Sequence, residues 1–340
     1  MFHRPTPEET VTTTVDVAIP CYRYGNFLRE CVESVLSQEN VDVRVLILDD
    51  CSPDNTAEVG KQLAAQDERI EFRRHAANQG HITTYNEGIE WASGDLFLLL
   101  SADDYLAPGA LARASQLFKT NPEMSFVFGN AVLLSDDNVR QALEPFGSSF
   151  SAETAVLPCL DFVKAMRGQN IVPTPTAVVR TSAQKQVGGY CHALPHAGDM
   201  AMWLRLAAEG PAGFVNATQA VYRMHSQNMS RSYSSARLPD VQQRRAAIEH
   251  FLEHSAAKLP NAAPFQQILF QSLGRNAAYQ ASEAFNEGDM ETSRRLAELA
   301  KELYPGVWHT SSWVRLLLNR TIGPRAWRLL RSALGAARVI

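Results

Sequence analysis

Two apolar runs in this chain end in paired carboxylates, and that pattern restricts the possible folds more than any other feature. Leu46-Ile47-Leu48 leads into Asp49-Asp50-Cys51-Ser52-Pro53-Asp54-Asn55, and the apolar residues 96–100 lead into Ser101-Ala102-Asp103-Asp104. Short apolar runs bounded by turn residues read as strands buried on both faces, the habit of a parallel sheet covered by helices. In such sheets, ligands bind beyond the carboxyl ends of the strands. Two strands ending in Asp-Asp therefore direct four carboxylates toward one crevice, which suits a metal and a hydroxyl-rich ligand. Each pair taken alone also fits a simple turn, since Ser52-Pro53-Asp54 is turn chemistry and Asp103-Asp104 lies just ahead of a helix expected from Pro108.

Around these runs, the first 135 residues alternate strand and helix periods, as βαβ units do. Strands are expected at 15–19 (ended by Pro20), 43–48, 70–72, 95–100 and 125–134. Helices are expected after Asn26 as a cap, with Phe27, Val32, Val35 and Leu36 on one side, and at 55–66, 81–92 and 108–119. Residues 136–158 loosen into Asp, Ser, Gly and Pro, the composition of a flexible connection or lid. A helix at 160–167, a strand at 176–180 and a helix at 199–209 follow. From Pro239 the pattern is all-helical, at 241–254, 265–286 and 290–303.

With 340 residues and 45% hydrophobic content, the chain can bury one large domain and a smaller appendage. A net charge of -4 lacks the basic footprint of a nucleic-acid binder. The charge is uneven, however. Residues 303–340 contain no Asp or Glu but carry Arg315, Arg320, Arg325, Arg328, Arg331 and Arg338, mixed with Trp313, Leu316, Leu317, Leu318, Trp327, Leu329, Leu330 and Leu334. A basic amphipathic tail of this kind fits an anionic membrane surface, or packing on protein. The five cysteines form no Cys-x-x-Cys pair, so neither a disulfide framework nor a zinc knuckle is expected, and a reducing cytosol is. The polar N-terminus has no signal-like apolar region, and no stretch reaches the roughly 18 apolar residues of a membrane span. The expected location is cytoplasmic, with peripheral contact at the inner face of the cytoplasmic membrane through the tail.

Two later segments carry further chemistry. In Gly198-Asp199-Met200-Ala201-Met202-Trp203-Leu204-Arg205-Leu206, helical spacing turns Met202 and Leu206 inward and leaves Asp199 at the helix start, as an N-cap, a catalytic residue or both. His225 follows an apolar run and Arg223. It fits a structural histidine, or one that completes a metal shell or donates to phosphate.

In order along the chain, Ile19-Pro20-Cys21-Tyr22 with Asn26-Phe27-Leu28, Asp49 through Thr56, Asn78-Gln79-Gly80, Ser101-Ala102-Asp103-Asp104, and Gly198-Asp199 through Leu206 resemble family 2 inverting glycosyltransferases of the GT-A fold. The resemblance covers roughly residues 15–235. It implies an α/β fold with a Rossmann-like, mainly parallel sheet flanked by helices and a C-terminal helical extension. The corresponding division is an N-terminal tail (1–14), a GT-A domain (15–235) with a nucleotide-sugar half (15–135) and an acceptor half (136–235), a helical extension (236–310) and the basic tail (311–340).

The resemblance also implies roles. Pro20 and Tyr22 would frame the nucleotide base, Asp50 would meet its ring, Asp49 would support that loop, and Asp103 would face the ribose. Asp104 would ligate a divalent cation, Mn or Mg, with His225 near the diphosphate or in the metal shell. Asp199 would be the catalytic base and Trp203 would shape the acceptor side. The implied reaction moves a sugar from a nucleoside diphosphate sugar, UDP preferred, to a saccharide or lipid-linked saccharide in bacterial cell-surface polysaccharide or glycolipid assembly. Two positions depart from the family pattern: Gly198 replaces the Glu of a Glu-Asp pair, and Ser101 replaces the first Asp of Asp-x-Asp-Asp. The first departure puts in doubt an acceptor contact normally made by that Glu. A sugar nucleotidyltransferase is disfavoured, because residues 20–26 hold one Gly and one Arg rather than a Gly-rich basic loop. A dinucleotide dehydrogenase is disfavoured by the lack of Gly-x-Gly-x-x-Gly in the first turn. A non-catalytic nucleotide-sugar binding module remains an alternative.

Overall fold

The computed structural model describes residues 12–147, 150–226, 228 and 236–323. Arg325, Trp327, Arg328, Leu329, Leu330, Arg331, Leu334 and Arg338 of the basic tail, and most of the 1–14 segment, lie outside the described residues. Two compact units make up the chain: Met1–Leu157, Val172–Tyr190 and Glu209–Met224 form the first, and Pro158–Ile171, Cys191–Ala208 and His225–Ile340 the second.

The first unit is built on a ten-stranded sheet. β1 (Thr14–Cys21), α1 (Gly25–Leu36), β2 (Asp42–Asp49), α2 (Thr56–Gln66), β3 (Ile70–Arg74), α3 (His81–Trp91) and β4 (Leu96–Leu99) alternate as the periodicity requires. β5 (Tyr105–Leu106), α4 (Ala110–Thr120), β6 (Phe126–Ser135), β7 (Arg140–Leu143) and β8 (Thr154–Leu157) follow. After α5 (Cys159–Met166) of the second unit come β9 (Val178–Arg180) and α6 (Thr181–Val187). Next is α7 (Gly198–Glu209), all but its last residue in the second unit, and then β10 (Ala212–Met224).

Strand order is β3-β2-β1-β4-β9-β6-β10-β5, with β7 on β6 and β8 on β10. β1 runs parallel to both β2 and β4, Val17 standing opposite Val45 and Leu98. The order therefore reverses at β1, which opens the crevice at the carboxyl ends of β1, β2 and β4. Where these strands are buried on both faces they are largely apolar. Val15, Val17, Ile19, Val45, Ile47 and Leu98 pack with Leu28, Val32 and Val35 of α1 and Leu111 of α4 in one core. Toward α3 the spacing is tight: a Cβ on Gly88 would lie 2.6 Å from that of Ala18, so glycine lets this helix sit down on the sheet.

Several local expectations are corrected. β1 continues through Pro20 to Cys21, whose carbonyl accepts the Asp50 N–H at 2.9 Å. α1 starts at Gly25, so Asn26 lies within its first turn and does not cap it, and the buried stripe is Leu28, Cys31, Val32 and Val35. α4 begins at Ala110, beyond Pro108, after Gly109 in the left-handed region (φ 71°). Residues 136–158 hold two strands where a loose connection was expected: β7 runs antiparallel to β6, and β8 antiparallel to β10. Between these strands Phe146 and Phe150 pack on Phe214, with ring centroids 4.6 and 5.4 Å away.

The second unit is helical. Beside α5 and α7 it contains α8 (Arg237–Ser255), α9 (Ala262–Glu287), α10 (Met290–Leu303) and α11 (Ser311–Ile322). The starts of α9, α10 and α11 are capped as their sequences allow: Asn261 accepts from Ala263 N–H, Asp289 from Thr292 and Thr310 from Trp313. Arg244 of α8 ties the unit together. It donates to Asp240 at 2.5 Å, to Asn276 of α9 at 2.7 Å and to the Gly168 carbonyl at 3.2 Å. No helix among the described residues is long and apolar enough to cross a membrane.

Candidate active site

At the end of β2 the chain turns sharply through Cys51, whose φ of 59° is left-handed. The turn sends its acids in different directions. Asp54 reaches back across the sheet, accepting from Gly25 N–H at 3.3 Å and from Thr56 N–H and Oγ1 at 3.1 and 2.6 Å, so it anchors the start of α1 and of α2. The adjoining loop is held by Ser52 Oγ, which accepts from Arg23 N–H at 3.0 Å. At Gly25 a Cβ would meet Asn55 Oδ1 at 2.3 Å, so only glycine lets these loops close on each other. Pro20 is buried in β1, and Tyr22 projects from the same rim, 42% exposed.

Asp49 and Asp50 are buried, and the protein supplies their partners. Asp49 accepts from Ser52 N–H at 2.9 Å and pairs with Arg74 Nε at 3.1 Å. Asp50 Oδ1 accepts from Gln79 N–H at 2.7 Å, and Oδ2 from Gly80 N–H at 2.9 Å. His75 completes the cluster, with Nδ1 2.7 Å from Asp50 and Nε2 2.8 Å from Glu87. Burial disfavours charge on His75, but its hydrogen bonds to Asp50 and Glu87 prevail and raise its pKa. Asn78-Gln79-Gly80, part of the sequence signature, is thus the segment that Asp50 clamps.

The pair after β4 is different. Ser101 Oγ donates a short hydrogen bond to Asp103 Oδ1. Asp104, 3% exposed, accepts the Arg223 N–H on Oδ1 at 2.9 Å. Its second oxygen, Oδ2, takes no hydrogen bond or ion pair among the described residues. Burial, and after it the charge of Asp103, push the Asp104 carboxyl pKa well above the usual range. A buried carboxyl with one unengaged oxygen, as at Asp104, is a place where a cation would stabilise the charged form.

Arg223, at the end of β10, fastens this corner. Its guanidinium donates to the Asp103 carbonyl at 2.8 Å, pairs closely with Glu30, and lies over the rings of Phe27 and Tyr105, 5.0 and 4.8 Å from their centroids. Tyr24 and Cys31 stay neutral here: burial first, and then the aspartates, raise both pKa values.

Asp199, Trp203 and His225 belong to the second unit. Asp199 is the second residue of α7, a half-buried acid in the first turn, where the helix dipole favours an anion; it is not the residue ahead of the helix. Nearly every other side of α7 is buried, Met200, Met202, Trp203, Leu204 and Leu206 included, which fixes the helix rigidly. His225 is buried, and its backbone N–H donates to Asn228 Oδ1. No group of three or more His, Cys, Asp or Glu among the described residues forms a ready-made metal cage. Asp104 fits a cation that brings water and phosphate oxygens for most of its shell, as Mg and Mn sites on nucleotides do.

The sequence reading did not reach His75, took Asp54 only as part of a turn, and noted Arg223 only as a companion of His225. A usable signal for His75 existed, since Arg73-Arg74-His75 ends β3 just ahead of Asn78-Gln79-Gly80. Asp16, a further buried acid, lies at the far end of the sheet and is engaged by Arg44 at 2.6 and 2.8 Å.

A sheet whose β3-β2-β1-β4 run is parallel, with buried acids beyond β2 and β4 at its switch point, is the arrangement on which α/β folds bind nucleotides. Residues 16–157 match the family model Glycosyl transferase family 2, and the fold is that of GT-A glycosyltransferase structures. It is 28% identical over 209 residues to the uncharacterized protein MT1568 of Mycobacterium tuberculosis, a match covering 59% of this chain and 64% of that one. It is also 29% identical over 140 residues to the GalNAc(5)-diNAcBac-PP-undecaprenol beta-1,3-glucosyltransferase of Campylobacter jejuni, covering 41% and 45%. The chain thus spans less than two thirds of the length of either relative. Among solved structures, S. aureus TarS 1-349 in complex with UDP-GlcNAc superposes with a TM-score of 0.66 at 15% identity, over 93% of this chain and 92% of that one. The mannosyltransferase PcManGT from Pyrobaculum calidifontis, in complex with GDP-Man and Mn2+, superposes at 0.51 and 17% identity, over 92% and 88%. Both share the fold.

Proposed function

We propose that the protein is an inverting glycosyltransferase that moves a sugar from a nucleoside diphosphate sugar to an acceptor hydroxyl. The observation that carries this reading is Asp104: a buried carboxylate with one unengaged oxygen, beyond β4 at the switch point of the sheet and within the stretch that matches the family 2 model. UDP is the preferred nucleotide, a choice supported by the UDP-GlcNAc complex of the S. aureus neighbour, with TDP and GDP as the competing choices. A lipid-linked saccharide is the preferred acceptor, in keeping with the undecaprenol-linked substrate in the Campylobacter relative's name. The proposed place of action is the cytoplasm, at the inner face of the membrane, in cell-surface polysaccharide or glycolipid assembly. Residues 15–135 would serve the donor and 136–235 the acceptor.

In this reading, Pro20 and Tyr22 border the base, with Asp50 holding the loop 75–80 against it and Asp49 holding the turn of β2. Asp103 takes the ribose. Asp104 holds the divalent cation, with His225 on the diphosphate side or in the metal shell, and Arg223 keeps Asp104 in place through its backbone N–H. A bound Mn or Mg would offset the charge that builds on the departing diphosphate. Asp199 takes the acceptor proton, and a single base acting opposite the leaving group gives inversion. A carboxylate is a weak base toward an alcohol, so its proton moves late, once the acceptor oxygen is already bonding to C1.

The test pairs binding with a variant. Thermal unfolding is followed with UDP, TDP or GDP, each with and without Mn or Mg. The expected result is a metal-dependent rise with UDP, equivalent to about 2.7 kcal/mol at a hundredfold excess over Kd. Asp104→Asn is expected to keep its fold and lose the metal-dependent part. An unchanged metal response in that variant would remove Asp104 from the site.

A further inference from the structure

Side chains of α8 tie down the residues that lead into α7. The chain from Cys191 to Ala197 is a run of turns, with the Leu194 N–H donating to the Cys191 carbonyl at 2.9 Å. His196 is held at two points: its Nε2 lies 2.9 Å from Asp240 Oδ1, and its backbone N–H donates to Gln243 Oε1 at 3.4 Å. The Gln243 amide also donates to the Ala193 carbonyl at 3.4 Å. Asp240 is itself braced, since its other oxygen accepts from Arg244, the buried arginine that reaches Asn276 and the Gly168 carbonyl. Leu194, Ala197 and Ala201 pack with Ala247 of α8. All of these residues belong to the second unit.

We propose that His196, held by Asp240, is a positioning residue for Asp199, a role that rests on Asp199 being the base. From Met200 onward α7 is fixed by its own packing, with Met200, Met202, Trp203, Leu204 and Leu206 buried. Asp199 comes just before that packed stretch and is half-buried. Gly198, next to it, has no side chain with which to brace the turn. The opening turn of a helix is also less firmly held than later turns, because its first N–H groups have no acceptor one turn back. The direction of Asp199 therefore depends on the chain ahead of it. Ala197 and Ala201 set how closely that chain approaches α8, but a methyl group makes no directional bond. His196, three residues before Asp199, is bonded through both its backbone and its ring, and to an aspartate that Arg244 keeps still. Such placement matters to the rate, since moving a reacting group by about 1 Å can cost on the order of 10²-fold.

The test compares His196→Ala, which removes the ring, with His196→Gln, whose amide can still donate to Asp240. Turnover is read as UDP release from UDP-GlcNAc, UDP-glucose or UDP-galactose, whichever the wild type turns over, and hydrogen exchange is followed at the backbone amides of residues 197–201. His196→Ala is expected to unfold at nearly the wild-type temperature and to keep the donor KM, while losing roughly tenfold in kcat and exchanging faster at 197–201. His196→Gln is expected to recover most of both losses. In an Asp199→Asn background, His196→Ala is expected to cost less than about twofold in kcat, because the two changes act through one group. Equal losses in the two backgrounds would overturn the proposal, as would a kcat loss that merely tracks a fall in unfolding temperature. Wild-type kcat or wild-type exchange in His196→Ala, beside a disabled Asp199→Asn, would overturn the positioning role alone. Normal turnover of Asp199→Asn would instead overturn the assignment of the base, and the positioning role with it.

Discussion

Asp50 and Asp104 are the same residue type at the ends of neighbouring parts of one sheet, yet their surroundings give them opposite properties. Two backbone N–H groups and His75 surround Asp50, so it holds the loop 75–80 in place. Asp104 receives one N–H and is left with an oxygen to offer a ligand. His75 makes the first arrangement sensitive to pH. Its pKa in the folded state is raised, because its hydrogen bonds to Asp50 and Glu87 outweigh burial. A raised pKa contributes stability that is complete below the unfolded value and is lost as pH rises through the folded one. In urea titrations, wild-type stability is therefore expected to fall as pH climbs above the ordinary histidine range. His75→Gln should be about 1–3 kcal/mol less stable than wild type at the acid end, with the gap narrowing at alkaline pH. Parallel curves would mean that His75 carries no charge in the fold. Asp49, Asp50, Asp103 and Asp104 were legible in the sequence because a strand and its terminal acids are contiguous. His75 and Arg223 were not, because their importance depends on β3 lying beside β2, and on the end of β10 meeting the loop after β4.

At the scale of elements, the alternation of β1 through α4 could be read because doubly buried strands must be apolar and helices carry a 3.6-residue stripe. Helix starts were misread where a neighbouring loop supplies the partner: Asp54, not Asn26, engages the first turn of α1. β7 and β8 escaped notice because short strands on the margin of a sheet, such as Arg140-Gln141-Ala142-Leu143, need no apolar face. The segment around them is held by aromatic contacts, Phe146 packing edge-on against Phe214 and tilted against Phe128. Phe146→Ala is expected to cost about 1–2 kcal/mol in chemical denaturation and to leave nucleotide-dependent stabilisation intact. No loss of stability would show that the rings do not hold this segment.

For the whole molecule, the proposed donor residues lie in one compact unit, while the proposed base belongs to the other, near the start of the buried helix α7. The role proposed for Asp199 is that of the base, and chemistry distinguishes this role from binding. A residue that acts only on the acceptor proton can be altered without disturbing the nucleotide site. The most direct measurement is therefore made on Asp199→Asn: UDP release from whichever UDP-sugar the wild type turns over, alongside thermal stabilisation by UDP and Mn. Wild-type stabilisation with turnover reduced roughly 10²–10⁴-fold is the predicted result. Turnover close to wild type would contradict the account.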